Sequence, residues 1–421
     1  MGFPRGLRAP PLALFLLACG HGSGGSGPAD SGGDGQGPDS GSGDAAGCPT
    51  SCNGTSGLTA PICTCGTSAP CSCESVEFCH QFCPDGGTMT SSLDLPACKT
   101  STTCGGKHLV FDDGPPVTWN DGAQQRAYCL FSPPAASAKS QRPLVVFVHG
   151  AGGSAEDVYD ATSLRAKAPA FDLVGDGTRT GFFLASDQGR NIANPNGNLG
   201  AAPRHDIYFR DLSTNSQNPD VRAIDRIVDT TAAGGAVDPA RIYLVGWSNG
   251  AFFSALYAVA RYTTPTPGGF RVAGAAVFAG GNPFDDPAAS DEGACSASPV
   301  PRAATAIYLI HRTCDSAVGC DAAQQAQFST PPGYDVSDWG KTLTSDVGAT
   351  VQDVILSAGG SQVSTCDDDF MLCTNAVGLL NHVSWPDGLA TADSKLRNDW
   401  EGTSVLQTPG MLGFLAAHPH P

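Results

Sequence analysis

An α/β fold, a mostly parallel doubly wound sheet with flanking helices, is the class predicted by this 421-residue sequence. Three observations predict it. Pro143-Leu144-Val145-Val146-Phe147-Val148 is a continuous apolar run, the pattern of a strand buried on both faces. Ile242-Tyr243-Leu244-Val245 leads through a tight turn, Gly246-Trp247-Ser248-Asn249-Gly250, into a helix-patterned small-residue stretch, Ala251 to Tyr262. Thr305-Ala306-Ile307-Tyr308-Leu309-Ile310 is a further strand pattern, again followed by polar residues.

From the amino terminus, Arg5 and Arg8 precede a short apolar segment, Leu12 to Ala18. It falls far short of the roughly 20 residues that a membrane-spanning helix needs, so it reads as a targeting signal. Leu16-Leu17-Ala18-Cys19 has the form of a bacterial lipobox, and residues 1–19 are expected to be a lipoprotein-type signal peptide with Cys19 lipidated. Lipid there would tether the protein to the cell envelope, at the outer membrane or cell surface, without a spanning helix. Cleavage and free secretion is the alternative. Residues 20–47 hold twelve glycines and no large apolar residue, and are expected to be a flexible linker with a root-mean-square span of about 30 Å.

Residues 48–104 carry ten cysteines and few large apolar residues. In an exported chain this combination predicts a disulfide-stapled module whose core is too small to hold alone. The close pairs Cys63/Cys65 and Cys71/Cys73 leave a thiolate metal cluster as an alternative. Residues 105–421 are expected to form one α/β catalytic domain with six more cysteines. Local closure would pair Cys314 with Cys320 and Cys366 with Cys373, leaving Cys129 with Cys295 as a long-range staple.

The chemistry is concentrated at G-x-S-x-G. A serine hydroxyl is a weak nucleophile near neutral pH and needs a base, usually a histidine held by a carboxylate. On a sheet of the α/β-hydrolase type the chain order is serine, acid, histidine, each at a strand's carboxyl end. Ser248 occupies the turn. Asp315 follows the strand that runs into His311-Arg312-Thr313-Cys314. The strand-like run Ala376-Val377-Gly378-Leu379-Leu380 then delivers Asn381-His382. His418 and His420, the other histidines beyond Asp315, sit in a proline-punctuated tail expected to be solvated. Asp321 and Asp367-Asp368-Asp369 are rivals for the acid. Oxyanion stabilisation needs two backbone N–H groups, expected from Asn249 and from the glycine-rich turn after His149, at Ala151 or Gly150. His149 itself is expected to shape that loop. Trp247 and Trp385 are the aromatic candidates for a substrate pocket, with core packing the alternative.

Four stretches carry a resemblance: Pro143 to Gly153, Val237-Asp238-Pro239-Ala240-Arg241-Ile242-Tyr243 with the Ser248 turn, His311 to Asp315, and His382 with Trp385-Pro386. From about Arg126 onward the chain resembles secreted α/β-hydrolase esterases grouped with polyhydroxybutyrate depolymerases, feruloyl esterases and acetyl xylan esterases. It departs from that pattern in three places. Arg312 and Ala251 stand where glycine is usual, and two residues rather than one separate His382 from Trp385. The resemblance implies a serine esterase that needs no metal or organic cofactor. Its substrate would be an ester, and the tether, linker and cysteine-rich module favour a polymeric one: a polyester or a feruloyl or acetyl group on plant polysaccharide.

Other classes are weighed by composition. The net charge of −17, without a lysine or arginine cluster, argues against nucleic acid and anionic membrane surfaces as partners. A monomer is expected. Two alternatives are an inert surface-binding protein that works through its cysteine-rich module, and a serine peptidase on the same fold.

Overall fold

A computed structural model of the chain describes residues 62–65, 69–72, 95–104, 107–121, 124–192, 202–207, 218–284, 300–328, 335–357, 362–366, 373–386 and 410–421. The signal segment with Cys19, the linker, most of the cysteine-rich stretch, Cys295 and Asp367-Asp368-Asp369 lie outside the described residues.

Two short antiparallel hairpins come first: β1 (Ile62–Cys65) with β2 (Ala69–Ser72), and β3 (Lys99–Cys104) with β4 (Lys107–Asp112). The main sheet begins with β5 (Val117–Asp121), β6 (Gln124–Phe131), β7 (Arg142–Val148) and β8 (Phe183–Asp187). A side hairpin follows, β9 (Arg190–Ile192) with β10 (Ala202–Arg204). The sheet then resumes with β11 (Val237–Trp247), β12 (Gly274–Phe278), β13 (Ala306–Arg312), β14 (Thr350–Leu356) and β15 (Gln362–Val363). Its nine strands lie in the order β15-β14-β13-β12-β11-β7-β8-β6-β5. The run from β14 to β8 is parallel, while β15 and β6 are antiparallel to their neighbours. β7 and β8 exchange places, so that β7 pairs with β11. This is the α/β-hydrolase fold, in agreement with the class expected from sequence.

Side-chain alternation explains why the central runs are apolar throughout. Leu144, Val146 and Val148 of β7 and Leu244 of β11 point into one core, whereas Val145, Phe147, Tyr243 and Val245 point into the other. Both faces of the sheet are therefore covered. β11 starts earlier than its apolar run because its pairing with β7 shifts register between Val237 and Ile242, which accommodates Pro239 in the irregular stretch.

Among the described residues the α-helices are α1 (Asp157–Asp160), α2 (Leu164–Lys167), α3 (Pro219–Ala232), α4 (Asn249–Thr263), α5 (Ala322–Phe328), α6 (Val336–Thr342), α7 (Asn375–Val383) and α8 (Met411–Ala417), with a π-helical turn, Leu343–Val347, continuing α6. Among the described residues, none is long and apolar enough to cross a membrane. α3 has a sequence-encoded start: Asn218 accepts from the N–H groups of Asp220 and Val221, and Pro219 occupies the first turn.

Two expectations are corrected here. Ala376 to Leu380 is not a strand but the body of α7, which carries His382 in its last turn. A short apolar run fits either element, and Thr374 decides it by capping the helix through Val377 N–H. Nor do the cysteines pair locally. Among the described residues the bridges are Cys314–Cys373, Cys320–Cys366 and Cys98–Cys129. Cys98 thus bonds across the expected boundary at residue 104, and it is fully buried within the second core. Cys129 is occupied, so it does not pair with Cys295. The remaining two bridges join the segment carrying Asp315 to the segment preceding His382, so they tie these two segments to each other rather than bracing each loop alone. Replacing Cys320 and Cys366 by serine is expected to lower stability by about 2–4 kcal/mol. Chemical unfolding of oxidised wild type beside the double variant measures it.

Candidate active site

The nucleophile turn lies where β11 ends. Ser248 has φ 53° and ψ −122°, a conformation that L-residues rarely adopt, and its N–H donates to Phe278 O at 2.9 Å. Both motif glycines are required by close approach. A Cβ on Gly246 would fall on the Gly250 carbonyl and the Ser254 hydroxyl, and one on Gly250 on the carbonyls of Val148 and His149. α4 starts at Asn249; the N–H groups of Ala251 and Phe252 donate to Ser248 O, while those of Asn249 and Gly250 have no acceptor within the helix.

Ser248, His382 and Asp315 form one hydrogen-bonded chain. Ser248 Oγ lies 2.7 Å from His382 Nε2, and His382 Nδ1 lies 2.9 Å from Asp315 Oδ2. Asp315 is fully buried and also accepts from the N–H groups of Ala317 and Val318. α7 reaches the acid loop because it lacks a side chain at Gly378, where a Cβ would come within 2.6 Å of Ser316. Asn381 donates to Thr313 O, and the Trp247 indole N–H donates to His382 O at 2.9 Å.

Burial by itself favours the neutral imidazole of His382. The Asp315 carboxylate outweighs this by charge and hydrogen bond, and the net shift is above the ordinary histidine value. A histidine that acts as base must be unprotonated. Activity is therefore expected to rise with pH through a midpoint above about 6.5, and Asp315→Asn to move that midpoint down. A pH profile of kcat/KM for both proteins checks this.

The glycine-rich turn after β7 packs against the nucleophile. A Cβ at Gly150 would meet Ser248 Cβ at 3.3 Å. The N–H groups further along the turn are already engaged: Gly152 N–H donates to Pro203 O and Gly153 N–H to Gly150 O. Gly150 and Ala151 therefore remain the candidate loop positions for an oxyanion donor. His149 is fully buried, with Nδ1 2.6 Å from Gly150 O and Nε2 accepting from Gly189 N–H. Burial and the neighbouring His205 push its pKa down to about 3, so it is a neutral strut for the loop.

Other sequence candidates lie apart from this chain of side chains. Asp321 caps α5 through the N–H groups of Ala323 and Gln324. The tail histidines are docked rather than solvated: His418 Nδ1 meets Phe414 O, and His420 Nε2 meets Tyr262 O. Trp385 is 2 % exposed, packed among Phe147, Trp247 and Phe278, so it lies behind the site as core. Trp247 is half-buried. His311, Cys320 and Cys366 bring a nitrogen and two sulfurs within 4.8 Å, but the sulfurs are bonded to one another and offer no thiolate.

Two features carried no sequence signal as site residues. Arg312 is fully buried, donates to Ser384 O, and has its pKa pushed down to about 10 by burial, against the raising effect of Asp315. It remains a cation at neutral pH beside Asp315. The second is a buried ionic cluster. Arg126 binds Asp220 at 2.6 Å and Asp187 at 3.4 Å, Arg190 binds Asp220 at 2.9 Å, and His205 Nε2 lies 3.1 Å from Asp187.

No known family profile matches the sequence, and no curated protein matches it. Similar solved structures include a Bacillus cereus carboxylesterase, 16 % identical over 55 % of this chain and 84 % of that one, with a TM-score of 0.31. Apo Thermogutta terrifontis esterase 2 is 14 % identical over 62 % and 90 % of the two chains, with a TM-score of 0.37. An acetyl xylan esterase from Aspergillus awamori is 13 % identical over 48 % and 73 %, with a TM-score of 0.34. At this distance the likenesses carry no argument about chemistry.

Proposed function

We propose that the protein is an exported serine esterase that hydrolyses carboxylic esters through Ser248, His382 and Asp315. The observation that carries this reading is the unbroken chain from Ser248 Oγ through His382 to Asp315, set on a strained turn at the carboxyl ends of parallel strands. Ser248 attacks the ester carbonyl while His382 Nε2 takes its proton. Asp315 holds Nδ1–H and stabilises the imidazolium. Asn249 N–H and an N–H of the Gly150–Ala151 turn receive the oxyanion. The alcohol leaves with the proton from His382, and water then hydrolyses the acyl-enzyme by the same route.

The substrate is proposed to be polymeric, of polyhydroxyalkanoate type or a feruloyl or acetyl ester of plant polysaccharide. Lipid on Cys19 and the linker would hold the enzyme near insoluble material. Leu379, Leu380 and Val383 are each at least 40 % exposed on the helix that carries His382, and this rim favours an uncharged, apolar chain. The test is hydrolysis of short p-nitrophenyl esters, methyl ferulate, acetylated xylan and amorphous polyhydroxybutyrate by oxidised protein lacking residues 1–19. Activity absent from Ser248→Ala is expected, and the preferred ester names the substrate. Folded protein without activity on any of the panel, yet retained on a polymer, would replace the esterase by a binding protein.

A further inference from the structure

β10 and His205, which directly follows it, touch both sides of the proposed oxyanion site. On one side, Gly152 N–H of the glycine-rich turn donates to Pro203 O at 2.7 Å. On the other, the Asn249 side chain pairs with both backbone groups of His205: its Oδ1 accepts from His205 N–H at 2.7 Å, and its Nδ2 donates to His205 O at 3.0 Å. In the esterase reading, Asn249 is the residue whose own N–H would receive the developing charge. Its carboxamide behaves like one more strand residue, docking the start of α4 onto a chain 44 positions away.

That segment is itself held rigidly. Arg204 pairs in register with Arg190 in the hairpin. Asp206 N–H donates to Asp220 at 2.7 Å, and Asn218 Nδ2 donates to Asp206 O at 2.9 Å. The His205 ring lies against His149 and Phe253 and reaches Asp187 through Nε2. Asp187 and Asp220 are in turn gripped by Arg126 and Arg190 inside the protein, with no side chain of the four more than 3 % exposed. Buried charges of this kind tolerate little displacement, because each depends on its partner's position.

We infer that Pro203–His205 is a spacer that fixes the separation of the two oxyanion donors, and that the Asn249 side chain is the positioning group that couples the nucleophile turn to it. The inference rests on the esterase reading above. The residue type follows from the geometry. Aspartate can accept but not donate, serine is too short to span both groups, and glutamine is one methylene too long. An oxyanion donor acts through preorganisation, and displacement by about 1 Å costs on the order of a hundredfold in rate.

The experiment compares wild type, Asn249→Ala and Asn249→Ser on a p-nitrophenyl ester, with the active fraction counted by phosphonylation of Ser248. It also measures affinity for a trifluoromethyl ketone, whose adduct with the serine carries the oxyanion. Both variants are expected to lose about 10- to 100-fold in kcat per active site, with KM within threefold. Ketone affinity should fall by a similar factor, and the pH midpoint should stay in place because the acid and base are untouched. Should the alanine variant not fold, the serine variant, which keeps a polar group at the helix start, carries the same comparison. Rates within threefold of wild type in the folded variants, or lower rates with unchanged ketone affinity, overturn the inference. A wild type that is neither active nor phosphonylated at Ser248 overturns the esterase reading, and this inference with it.

Discussion

Ser248→Ala is expected to lower kcat on an activated ester by about 10⁴- to 10⁶-fold, with little change in the thermal midpoint. The hydroxyl is the only group at that position able to form the acyl-enzyme, and the rate left behind is what binding and the oxyanion site give to water attack. Alanine inherits the same positive φ, so the strain of the turn is neither relieved nor increased. His382→Ala added to it should cost almost nothing more, since the two groups act as a unit. Asp315→Asn should lose about 10⁴-fold, because an amide in that place favours the wrong imidazole tautomer. Asp321→Asn should stay within about twofold, since asparagine caps a helix as well as aspartate does. Steady-state kinetics on the four variants decide the assignment, and equal, near-wild-type rates for both aspartate variants would move the acid elsewhere.

Asp220→Ala is expected to cause the largest loss of stability from a single polar substitution, about 3–5 kcal/mol. Asp220 is fully buried and binds Arg126 and Arg190, so its removal leaves two guanidinium groups in the interior without their shared counter-ion. It also takes the acceptor from Asp206 N–H. Burial alone would raise the Asp220 pKa, but the two arginines outweigh it and hold the carboxyl far below the usual range. A depressed carboxyl stabilises the fold fully above its unfolded value, about pH 4, and loses that contribution only as the pH falls toward its folded value. The gap between wild type and variant in chemical unfolding should therefore be constant from about pH 5 to about pH 8. A gap below about 1 kcal/mol would show that the arginines find water or another partner. Activity should fall with stability here, because the spacer beside Asn249 hangs from the same carboxylate.

The nucleophile turn was legible because its requirements are local. Five consecutive residues state where the chain must bend sharply, and the strands on either side are apolar enough to be read without knowing their neighbours. The same holds for β7 and the glycine-rich turn after it, and for the acid just beyond β13. The position of His382 could be chosen, but its element could not. Val377, Leu379 and Leu380 suit a strand or a helix equally, and the outcome depends on Gly378 fitting against the acid loop, a contact with residues more than sixty positions earlier. Trp247 was visible as an aromatic beside the serine, yet its hydrogen bond to the His382 carbonyl depends on where α7 docks.

What the sequence determined by itself is therefore the class of the fold, the turn that presents Ser248, and the order in which Ser248, Asp315 and His382 follow one another along the chain. Tertiary structure alone decided the disulfide partners, since an even number of cysteines fixes parity and not distance. It alone assembled Arg126, Asp187, Arg190 and Asp220, spread over 94 residues, into one buried cluster. It alone set the Asn249 carboxamide against His205. Strain and apolar periodicity are properties of neighbouring residues and can be read along the chain, whereas ion pairs, bridges and side-chain clamps exist only once the order of strands in the sheet has brought distant segments within bonding distance.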